Sequence, residues 1–153
     1  MMEPKPVQAK PAARYRGLLV IWVMQFVTLI VFFALTRVIE VAARPNDEAL
    51  RFQLFDVLGG ASLALSFVVK RMLLRRAVIT QRPDVTTTAY VIAFALCELA
   101  AIMGLVNYLI SGVPIVLLFV LAAVGLLLHV PRRAHIEAAT PGGPTQGFNS
   151  TLR

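Results

Sequence analysis

The run from Gly17 to Thr36 carries no charged residue over twenty positions, and this limits the chain more than any other feature. About twenty apolar residues in a helix match the roughly 30 Å hydrocarbon core of a bilayer. Three more apolar runs follow: Phe52–Val69, containing Asp56; Thr87–Ile110, containing Glu98; and Val113–Val130, containing His129. A soluble domain of 153 residues has no core deep enough to hide them all. Hydrophobic residues make up 58% of the chain and its mean hydropathy is +0.76, so lipid is the solvent that suits most of this surface.

Charge placement supports the same reading. A net charge of +7 would suit nucleic acid, but the Lys and Arg residues sit between apolar runs and do not line one face. That is the pattern of membrane topology, and no nucleic-acid partner is expected. The sole cysteine, Cys97, lies inside an apolar run, which excludes an internal disulfide, a Cys-based zinc cluster and a Cys-x-x-Cys redox pair.

Breaks in the pattern divide the chain. Residues 1–16, with Lys5, Lys10, Arg14, Arg16 and three prolines, read as a basic disordered leader. The Gly17 run is too long for a signal-peptide core and reads as a retained first helix. Arg44-Pro45-Asn46-Asp47-Glu48 ends it and offers caps for a second helix. Helical spacing continues through Met72, Leu73, Leu74 and Val78, so the second helix extends past the bilayer as a basic amphipathic end. Pro83 and Thr86-Thr87-Thr88 mark the next break, Ser111-Gly112-Val113-Pro114 a tight turn, and Pro131-Arg132-Arg133 the last stop. The expected fold is all-α: a polytopic bundle of four transmembrane helices spanning about 17–39, 52–72, 87–110 and 113–130. A disordered tail, 131–153, follows. The leader, the Lys70–Arg82 turn and the tail fall on one side, and the positive-inside rule makes that side, with both termini, cytoplasmic. The expected location is the inner (cytoplasmic) membrane of a bacterium.

Within the spans, close-packing and polar residues stand out. Gly59, Gly60 and Ala64 in the second helix, and Ala93, Cys97, Ala101 and Gly104 in the third, provide faces where another backbone can approach closely. Gln25 and Thr28, one turn apart, suit interhelical hydrogen bonds, and Asp56 reads as a boundary carboxylate. Lys70, Arg71, Arg75, Arg76 and Arg82 form the densest basic segment and read as lipid-headgroup contacts. His129 and His135 read as headgroup contacts too, and Trp22, Tyr90 and Tyr108 as interfacial anchors. Glu98, near the middle of the third span, is the outstanding ionisable group. Two roles are open to it. It can donate one hydrogen bond to Gln25, Ser62, Ser66 or Asp56 or to a backbone carbonyl, or it can carry a proton or small cation.

Gln81-Arg82-Pro83-Asp84, followed by Ala95-Leu96-Cys97-Glu98-Leu99-Ala100-Ala101-Ile102-Met103-Gly104-Leu105-Val106, resembles the polar loop and second helix of the proteolipid, subunit c, of rotary ATP synthases. The resemblance covers about thirty residues. It implies that Glu98 corresponds to the ion carrier and that the Arg82 turn faces the cytoplasm.

Serine-hydrolase, zinc-protease, Walker and dinucleotide motifs are absent from the sequence; no catalytic residue, metal or cofactor is expected. The expected role is a scaffold or accessory subunit that packs against other membrane subunits or copies of itself in the bilayer. The alternative is proton or cation translocation through Glu98, and a third reading is a small membrane enzyme.

Overall fold

A computed structural model describes residues 11–41, 48–112 and 116–141, with side chains of the second helix described from Leu54 onward. Among the described residues every element is helical: α1 (Pro11–Val38), α2 (Glu48–Thr80), α3 (Pro83–Ser111), α4 (Val116–Leu128) and α5 (Arg133–Ala138). Three stretches, α1, Leu54–Thr80 of α2, and α3, are long and apolar enough to cross a membrane. The fourth helix is apolar throughout but 13 residues long. At 1.5 Å per residue it covers about 20 Å, less than a hydrocarbon core.

Local chemistry sets the helix ends. α1 starts at Pro11, inside the stretch expected to be disordered, because proline suits a first helical turn and because Tyr15 and Leu18 pack on the bundle. Residues 1–10 lie outside the described residues. α2 does continue to Thr80, burying Leu74 and Ala77. Only Gln81 and Arg82 separate it from α3, which starts at Pro83 and not near Thr87. Gln81 takes the left-handed conformation at φ 50°, which a non-glycine residue adopts at a cost. Its N–H donates to Val78 O at 3.3 Å and that of Arg82 to Ala77 O at 3.0 Å, closing the last turn of α2. The Gln81 amide adds bonds to Val78 O and to Ala138 O. At the other end of α3, Gly112 sits at φ 75° and donates to Tyr108 O at 2.7 Å.

So short a connection makes α2 and α3 an antiparallel hairpin, the most extensive helix pair in the molecule. α3 is the central post, packing against α1, α2, α4 and α5. Paired levels give the directions. Leu118 lies against Gly59 and Gly104, and Gly125 against Leu63 and Cys97, so α4 runs parallel to α2 and antiparallel to α3. Phe33 meets Phe119 edge-on and Trp22 reaches Leu126, which sets α1 antiparallel to α4. Two aromatic donors tie helix ends together: Trp22 Nε1 donates to Leu126 O at 2.8 Å and the Tyr108 hydroxyl to Ile39 O. Leu126 O also accepts from the His129 N–H at 3.1 Å, and Ile39 lies just past the C-terminus of α1, where carbonyls run out of helical partners. Trp22 is thus an internal tie between α1 and α4.

The core is built on small residues. Ala93, Cys97, Ala100 and Ala101 are fully buried. A Cβ on Gly104 would stand 3.2 Å from Phe119, one on Gly125 2.9 Å from Leu63, and one on Gly59 2.6 Å from Leu118. The small-residue stripe of α3 is therefore filled within this chain.

The polypeptide after α4 corrects an expectation. Residues 131–141, read from sequence as the start of a disordered tail, include α5, which packs on α1 and α3 with Ile136 and Ala139 fully buried. Residues 142–153 lie outside the described residues.

Candidate functional site

The α2–α3 turn, the C-terminal end of α4, and α5 converge at the basic end of the bundle and enclose a polar cluster. Its upper layer is centred on Ser66 of α2, which is fully buried. Ser66 Oγ donates to Leu63 O at 2.6 Å and lies 2.9 Å from His129 Nε2 and 3.9 Å from Cys97 Sγ. A hydroxyl has one proton and two lone pairs. With the proton given to Leu63, the imidazole N–H must point at Ser66, and the thiol takes the other lone pair. His129 Nδ1 is then an acceptor; it is buried and has no hydrogen-bond partner among the described residues. Phe67 packs edge-on against the same ring at 4.4 Å.

One helical turn further along α2, Lys70 points inward. Its Nζ sits 4.6 Å from the ring centroid of Tyr90, a cation–π contact. No carboxylate and no hydrogen-bond acceptor meets this ammonium among the described residues. Tyr90 is fully buried; its hydroxyl is 2.6 Å from His135 Nδ1 and accepts from the Arg132 N–H at 3.1 Å. The Tyr90 and His135 rings stack at 6.0 Å. Burial first, then the charges of Lys70 and Arg132, push the His135 imidazole down to about 4, so it is neutral at pH 7.

Among the described residues the cluster holds cations and neutral donors and acceptors, with no acid. A Ser–His pair 2.9 Å apart has the spacing of an activated nucleophile. Here, however, the hydroxyl is committed to a backbone carbonyl and sealed from solvent. Among the described residues no group of three or more His, Cys, Asp or Glu gathers to hold a metal ion.

The residues singled out from sequence are scattered. Glu98 lies half-buried beside the buried stripe of α3. No hydrogen bond joins it to Gln25, Ser62, Ser66 or Asp56 among the described residues. Ser62 bonds Gly59 O at 2.8 Å and Thr28 bonds Met24 O at 3.1 Å, each within its own helix, and Thr28 makes no interhelical bond among the described residues. Asp56 has one buried carboxylate oxygen, Oδ1, without a hydrogen-bond partner among the described residues. Gly60 has nothing within 4 Å of a would-be Cβ, and Ala64 is exposed, so these two small residues face outward. Arg71, Arg75 and Arg76 are exposed, and Arg82 pairs with Asp84 at 2.7 Å on the surface.

The two histidines were read from sequence as headgroup contacts, but His129 is fully buried and His135 only 8% exposed. Ser66, Tyr90 and Lys70 were each noted alone. The one sequence signal that could have joined them is register: Ser66 and Lys70 are four apart and share a face of α2. Family models, curated proteins and solved structures contain no match to this chain.

Proposed function

We propose that this chain is a small integral membrane scaffold subunit that associates with a second copy of itself through the outward face of α2. Three membrane-length apolar helices support the membrane setting. In this reading α4 inserts beside them as a short fourth span, and the basic end, with both termini, is cytoplasmic.

The open face of α2 is the observation that carries the proposal. Val57, Gly60, Ala61, Ala64 and Val68 recur at helical spacing, and none is covered by another helix: Val57 is 66% and Val68 55% exposed, and the Gly60 surface is empty. Gly60 and Ala64 form a small-xxx-small pair flanked by β-branched residues, the combination that lets two helices approach closely in lipid. A face of this kind is self-complementary about a two-fold axis.

Self-association in nanodiscs or liposomes, followed by energy transfer between labelled copies over a range of protein-to-lipid ratios, tests this. The wild type should dimerise, and Gly60→Leu with Ala64→Leu should abolish the transfer while the thermal transition of the monomer stays put. A wild type that remains monomeric at all ratios, or a double variant that still dimerises, overturns the reading. Translocation through Glu98, as the proteolipid resemblance implies, draws no support from the surroundings of that carboxylate, which meets no hydrogen-bonding group among the described residues.

A further inference from the structure

The geometry points to a binding site for one phosphate-type oxyanion at the basic end of the bundle, held between Lys70 and Arg132 beside the Tyr90 ring. This goes beyond diffuse headgroup contact. Arg71, Arg75 and Arg76 lie on the outside of α2, whereas Lys70 turns in over a fully buried tyrosine.

Three observations support the site. First, an ammonium brought into a low-dielectric interior needs a counter-charge. Around Lys70 the facing groups are the Tyr90 ring, His129, neutral His135, Cys97 and the cationic Arg132. The carboxylates at this end are engaged elsewhere: Asp84 with Arg82 and Glu137 with Arg133, both at 2.7 Å. Second, Arg132 is held near by its own backbone, whose N–H bonds the Tyr90 hydroxyl at 3.1 Å, and its guanidinium has no carboxylate partner among the described residues. A lysine and an arginine with no acid between them suit a group carrying several anionic oxygens. Third, His129 Nδ1 is fully buried, unpartnered and an acceptor.

The oxyanion can come from a lipid headgroup or from a soluble phosphate, and two probes distinguish them. The full chain in detergent is titrated by calorimetry with inorganic phosphate and, separately, with a short-chain phosphatidylglycerol, and native mass spectrometry counts retained anionic lipid. At least one probe should bind at one per chain. Lys70→Met should weaken it by about tenfold or more, the worth of one charge-assisted contact, and Arg132→Gln, which alters an exposed side chain, should weaken it by a similar factor. Lys70→Arg should keep binding, and Arg75→Gln with Arg76→Gln should leave it within about twofold. Phosphatidylglycerol that phosphate fails to displace identifies a headgroup site; phosphate that binds as tightly as the lipid identifies a soluble ligand. Absence of binding by both probes, or equal binding by the wild type, Lys70→Met and Arg132→Gln, overturns the inference.

Discussion

α2 and α3 carry the same kind of small-residue pattern and use it in opposite ways. In α3, Ala93, Cys97, Ala101 and Gly104 are buried by Leu118, Phe119 and their neighbours from this chain. Among the described residues a Cβ on Gly60 of α2 would meet nothing within 4 Å, and Ala64 is exposed. Spacing of small residues specifies that a backbone can come close, but not whose backbone it is. The neighbouring glycine shows how fine the division is: Gly59 receives Leu118, while Gly60, rotated by one position, faces out.

Substitutions on the two faces should separate them cleanly. The largest effect on stability is expected from Gly104→Leu, which drives a branched side chain into Phe119 and Leu118. It should cost about 3 kcal/mol, read as a drop in the thermal transition in detergent, and an unchanged transition would mean that the α3–α4 contact is looser than described. The closed side also has a pH-sensitive point. Folded His135 stays neutral down to about 4, whereas an unburied imidazole protonates near 6.5. Protons therefore favour the undocked form. Docking of α5 should be at full strength above about pH 6.5 and weaken by up to about 3 kcal/mol as the pH falls toward 4. Hydrogen exchange of residues 133–138 at pH 7 and pH 4.5, corrected for intrinsic rates, reads this, and equal protection at both would refute it. Trp22→Phe keeps the ring but removes the donor to Leu126 O and should cost about 1 kcal/mol. The smallest change belongs to the open face: Gly60→Leu should move the stability of the monomer by less than about 0.5 kcal/mol. A large loss there would show that α2 has an internal partner on that side.

Much of the fold was legible because lipid imposes a coarse rule: long uncharged runs, turns marked by proline and glycine, and charge gathered between spans. The Gln81-Arg82-Pro83 break and the Gly112 stop could be found in this way. α5 could not, since His135, Glu137 and the flanking arginines look like a solvated tail until Ile136 and Ala139 find their places against α1 and α3. The candidate site was hidden for a related reason. Its members come from α2, α3, the end of α4 and α5, and hydropathy reads each helix by itself. Glu98 drew notice as the most costly residue in lipid, but cost is a property of one position. A site needs neighbours, and these assemble around Lys70 and Ser66.

The two-residue link at Gln81 and Arg82 also bears on how the helices are held in register. With the last turn of α2 closed by the link itself and Pro83 already the first residue of α3, there is no slack for one helix to slide along or part from the other at this end. The turn therefore fixes the register of the most extensive helix pair in the molecule.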